Sequence, residues 1–67
     1  MKQYRLVEAA PENGERYGKQ DRRTLFAGGD KAAFLAAIDA YHAQKSRRPW
    51  SELVYYHGSK RIYPYEF

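Results

Sequence analysis

The segment GGDKAAFLAAIDAYHAQKSRRP, residues 28–49, decides most of what this chain can fold into. Phe34, Ile38 and Tyr41 recur at i, i+4 and i+7, and Leu35 widens the stripe, so a helix here carries one apolar face that another element must cover. Ala32, Ala33, Ala36, Ala37, Ala40 and Ala43 supply high helix propensity. Gly28 and Gly29 break the preceding segment, and Asp30 is suited to cap the first free amides. Lys45, Arg47 and Arg48 suit the negative end of the helix dipole, and Pro49 stops the helix.

The flanking segments read as strands. Tyr4 and Leu6 alternate with Arg5 and Val7, the period-two signature of a half-buried strand. Pro11-Glu12-Asn13-Gly14 predicts a tight hairpin turn, because Asn-Gly tolerates positive φ. Gly18 and the polar run Lys19 to Arg23 predict a bulge or loose loop before strand character resumes at Thr24, Leu25 and Phe26. After the helix, LVYYHGSKRIYPYEF predicts a hairpin around Gly58-Ser59. The order β-β-α-β-β implies an α+β fold in a single domain, residues 1–67: a four-stranded antiparallel sheet with one amphipathic helix packed on one face.

Register decides the role of the tyrosines. A two-residue turn pairs Tyr56 with Arg61, Tyr55 with Ile62, Val54 with Tyr63 and Glu52 with Tyr65. Leu53, Tyr55, Ile62 and Pro64 then form the core side. Trp50, Val54, Tyr56, Arg61, Tyr63 and Tyr65 lie on a second face that one helix cannot cover. A three-residue turn instead aligns Leu53, Tyr55, Tyr63, Tyr65 and Phe67 as a large core. Tyr56 and Ile62 stay on the opposite face in that case, so aromatic surface is left over either way. Exposed patches of Tyr, Trp and Arg mark interaction sites.

A chain of 67 residues without cysteine has neither disulfides nor thiolate metal sites, and it buries only ~60% of its unfolded surface. Its stability must come from packing, self-association or a partner. No apolar run approaches the ~18 residues of a membrane span, and the segment MKQYRLVEAA lacks a signal-peptide core, so a cytoplasmic protein with no membrane partner is expected. Twelve Lys and Arg against eight Asp and Glu give a net charge of +4, which favours nucleic acid or an acidic protein face as partner.

Signatures of catalysis are weak. His42 and His57 stand apart with no metal-ligand spacing, the His57-Gly58-Ser59 grouping lacks a nucleophile context, and the acidic residues form no close pair. Gly28-Gly29-Asp30-Lys31 leads into a helix N-terminus but lacks phosphate-loop spacing, and Asp30 would repel a phosphate. No enzyme and no cofactor is expected. The candidate binding residues are instead basic and aromatic. Arg22 and Arg23, Lys45, Arg47 and Arg48, and Lys60 and Arg61 can each meet phosphates or carboxylates. Tyr56 and Tyr63 can stack on bases or anchor a protein interface.

The run MKQYRLVEA, then NGERYGKQ, then an Ala-rich helix, then LVYYHGSKRIYPYEF, resembles the small phage-encoded anti-CRISPR proteins of β-β-α-β-β layout that inhibit type I surveillance complexes. Gly58, Lys60, Arg61 and the aromatic Tyr63 match best, while Lys45-Ser46-Arg47-Arg48 and the tyrosine load depart from the pattern. The resemblance implies a non-catalytic inhibitor, encoded by a phage or mobile element and acting in a bacterial host. Its partner would be a protein or ribonucleoprotein complex of the CRISPR effector type. Direct DNA or RNA binding, or a structural homodimer, are the alternative readings of the same residues.

Overall fold

The computed structural model describes residues 2–44 and 48–67. Strands β1 (Tyr4–Pro11) and β2 (Gln20–Gly28) precede helix α1 (Lys31–Ala43), and β3 (Glu52–His57) and β4 (Lys60–Ile62) follow it. A 3₁₀ turn at Pro64–Glu66 leads to Phe67. The four strands form one antiparallel sheet in the order β2-β1-β3-β4, with the helix against β1 and β2 on one face. This is the α+β layout expected from the element order. Among the described residues no helix is long and apolar enough to cross a membrane.

Helix α1 begins where the sequence places it. The Asp30 carboxylate accepts from the Ala32 amide at 3.0 Å, and the Asp30 carbonyl accepts from Phe34 N–H. The helix ends at Ala43, with Gln44 as its extended C-cap, so its basic continuation is not helical at Arg48, which follows the cap outside α1. Lys45 and Arg47 lie outside the described residues.

Phe34, Ile38, Leu6 and Ile62 form the buried core, joined by half-buried Tyr4, Phe26, Leu53 and Tyr55. Tyr4 stacks on Phe34 with ring centroids 5.0 Å apart, and Tyr55 meets Phe34 edge-on at 6.3 Å. Burial, and secondarily Tyr41, push the Tyr55 hydroxyl above its ordinary pKa.

The closing hairpin adopts the two-residue turn. Tyr55 pairs with Ile62, Tyr56 with Arg61 and His57 with Lys60, around Gly58 at φ 67°. Leu53, Tyr55 and Ile62 therefore face the helix. The ladder stops at Ile62, however, so the Val54–Tyr63 and Glu52–Tyr65 pairs are not formed. Pro64 departs from the strand, sets the 3₁₀ turn and is exposed rather than on the core side. That turn swings Phe67 back against Phe34 and Tyr55, at 5.5 Å and 5.1 Å. Phe67 thus joins the core by a change of direction, not by strand register.

The first hairpin differs from its expected form in two respects. Its connection is a long loop, residues 12–19, closed by Glu12 N–H donating to the Lys19 carbonyl at 2.8 Å. Asn13 turns back instead of making a two-residue reversal, its side-chain oxygen accepting from Glu15 N–H at 3.1 Å. A Cβ at Gly18 would lie 2.4 Å from that same oxygen, which explains the glycine. The polar run Gln20 to Arg23 is regular strand, and the bulge sits later, where the partner of Leu6 is Phe26 and that of Val7 is Thr24. Polar residues are tolerated there because β2 is an edge strand, where charge is favoured.

Candidate functional site: the open face of the sheet

Alternation divides the sheet into two working halves. Tyr4, Leu6 and Glu8 of β1 share the helix side with Leu53 and Tyr55 of β3, whereas Arg5, Val7 and Ala9 share the other side with Val54 and Tyr56. Among the described residues no helix and no further sheet packs on that other side, yet Val7, Ala9 and Val54 are buried on it. Val7 and Val54 are direct partners at its centre, flanked in the ladder by Arg5, Tyr56, Glu52 and Arg22. Val54, expected on an exposed face, is therefore on that face but not exposed.

One rung of this face carries the aromatic and basic groups. Arg5 pairs with Tyr56, and Tyr56 pairs with Arg61, so three side chains follow one another across β1, β3 and β4. The Arg5 guanidinium lies 4.5 Å from the Tyr56 ring centroid. Tyr63 keeps an extended backbone after β4, at φ −122° and ψ 160°, which returns its ring to the side of Arg61. The Arg61 guanidinium is 5.2 Å from that ring. Tyr65 stacks parallel to Tyr63, centroids 5.8 Å apart, and both rings are exposed. The Glu66 carboxylate accepts from Tyr63 N–H at 2.8 Å and steadies the turn that presents the pair.

The predicted site residues separate on this frame. Tyr56, Arg61 and Tyr63 come together, and Arg22 lies on the same face, opposite Ala9. Lys60 sits in the His57 rung on the helix side, 3.6 Å from Glu66. Arg23 pairs with Glu8 in the ladder, also on the helix side, and its Nε lies 3.3 Å from Asp21. Arg5 completes the array without having been singled out from sequence, whereas Tyr65, expected on this face by strand register, joins it by stacking on Tyr63 from the 3₁₀ turn. Arg5 had a signal: a guanidinium placed between the core-facing Tyr4 and Leu6 must point to the other side.

Arg48 has a different role. It ion-pairs with the buried Glu8 and, at 2.8 Å, with Asp21, and so ties the segment after the helix to β1 and β2. Its hydrogen bond is the main reason that Asp21 is held below the usual carboxylate range, Arg23 adding less. Partial burial works against the charge of Arg48 itself, but Glu8 and Asp21 more than offset it and raise its pKa. Beside this network Tyr41 and Ser51 share a 2.6 Å hydroxyl–hydroxyl hydrogen bond. Such a guanidinium is committed within the fold.

A second exposed group lies at the loop end. Arg16 sits 5.4 Å from the Tyr17 ring and 5.1 Å from the Trp50 ring, and Trp50 occupies positive φ, 59°. Among the described residues, no three His, Asp or Glu side chains converge as a metal site. Compared with known proteins, the chain matches no family model, no curated protein and no solved structure.

Proposed function

We propose that this chain is a non-catalytic binding module that masks a nucleic-acid-handling complex, in the manner of a phage or mobile-element inhibitor of the anti-CRISPR type. The observation that carries the reading is the in-register rung Arg5–Tyr56–Arg61, extended by Tyr63, on the sheet face opposite the helix. Arg and Tyr are the side chains that concentrate binding energy at interfaces, and here the strands hold them in place before any partner arrives. Guanidinium groups suit phosphates and carboxylates, the two anions that such a complex offers. Cytoplasmic action in a bacterial host follows from that target.

The test is interference in cells. Expression of the chain in a bacterium whose type I CRISPR system restricts a phage is expected to restore plaques, and Arg5→Ala combined with Arg61→Ala is expected to abolish the effect. Continued restriction in the presence of the folded wild-type chain would sink the inhibitor reading.

A further inference from the structure

The reading above leaves open what the face touches, and the geometry supplies a chemical class. We infer that the open face binds single-stranded nucleic acid, with Tyr63, Tyr65 and Tyr56 as stacking surfaces and Arg5, Arg61 and Arg22 as phosphate contacts; this rests on the masking function, and identifies the masked element as an exposed strand of the complex.

Four observations favour a strand over a protein surface. The paired apolar residues of this face, Val7 and Val54, are buried, so they offer no exposed aliphatic centre for a protein interface to desiccate. What is offered alternates guanidinium with aromatic ring. Arg61 lies against Tyr63, and Tyr63 against Tyr65, which is the combination that binds bases by their π-faces and the backbone by charge. The charge on the face is complementary to a polyanion: Arg5, Arg22 and Arg61 stand on it against Glu52 alone, by the register. Finally, Tyr65 is 84% exposed and Tyr63 43% exposed, so the rings are accessible to an unpaired base.

A duplex is disfavoured by the same geometry, because its bases are already stacked and present only edges. Stacking and phosphate contacts do not depend on the sugar, so RNA and DNA strands should bind alike.

The experiment is fluorescence anisotropy with a labelled 12-nucleotide single strand, as RNA and as DNA, and with the corresponding duplex, over a series of salt concentrations. The single strands are expected to bind at least tenfold more tightly than the duplex. Tyr63→Ala should weaken binding by roughly five- to a hundredfold without changing its salt dependence. Arg61→Ala should weaken it and reduce the slope of log K against log salt by about 0.7, the share of one phosphate contact on a single strand. Circular dichroism confirms that each exposed-site variant is folded. Equal or tighter binding of the duplex, or affinities indifferent to both substitutions, overturns the inference. If the chain inhibits interference in cells but binds no oligonucleotide at low salt, the inference fails while the inhibitor function stands, with protein as its target. Strand binding without inhibition supports the inference and removes the inhibitor function.

Discussion

Arg5 and Tyr56 are direct partners on adjacent strands, and the guanidinium of one lies 4.5 Å from the ring centroid of the other. The contact orders both side chains before a ligand is present, on the two central strands and one rung from the second hairpin's end of the β1–β3 ladder. Because Arg5 is exposed, a double-mutant cycle with Arg5→Ala and Tyr56→Ala should give a coupling of only about 0.5–1 kcal/mol in urea unfolding. A coupling near zero would mean that the two groups move independently and that the rung is not preorganised.

The opposite face holds the fold together. Phe34 is fully buried and has four aromatic neighbours, so Phe34→Ala should cost ~3–5 kcal/mol and leave a domain of this size largely unfolded. Phe67 is only half-buried, and Phe67→Ala should cost about 1–2 kcal/mol. Equal losses at the two positions in thermal unfolding would show that the 3₁₀ turn anchors the core more than its exposure implies.

Arg48 predicts a pH dependence of known sign. Asp21 has a folded pKa below its unfolded value, so the stability it contributes is present above the unfolded pKa, near ~3.9, and is lost as pH falls through the lowered folded value. Arg48→Ala should therefore lower the urea midpoint clearly at pH 6, more than Arg23→Ala does. The gap from wild type should narrow as pH falls below about 4. A gap that stays constant down to pH 2.5 would rule out the Asp21 ion pair as its source.

Gly58 is the hinge of the second hairpin. Its φ of 67° and a would-be Cβ 3.2 Å from the Lys2 side chain make Gly58→Val unfavourable by about 1–2 kcal/mol. Gly58→Asn, which tolerates this region, should cost much less, and equal costs for the two would point to the Lys2 contact rather than the backbone.

These residues also show which parts of the structure were legible in the sequence. Asp30, the Phe34–Ile38–Tyr41 stripe and the Gly58-Ser59 turn act over a few positions, and each did what its local pattern predicts. The inward side of Tyr55 and the outward side of Tyr56 followed once the turn length was chosen. The long first loop was not legible, because an Asn-Gly pair serves several turns and the Asn13 side chain selected one of them. Nor was the ion pair of Arg48 with Glu8, partners 40 residues apart, nor the return of Phe67 to the core. Arg48 looked like a free helix-end cation because sequence separation hides a tertiary partner. Of the candidate site, Arg61, Tyr63 and Tyr56 were visible as a group, whereas Arg5 became part of it only through the β1–β3 register.

The most direct measurement takes melting temperature and single-strand affinity from the same samples of wild type, Arg61→Ala and Tyr63→Ala. If the open face is a preformed binding surface carried by a core that lies elsewhere, affinity falls while the melting temperature moves by less than about 4 °C, under ~1 kcal/mol in a domain of this size. If affinity is unchanged, or falls only in step with a large loss of melting temperature, Arg61 and Tyr63 serve the fold and the open face is not the working surface.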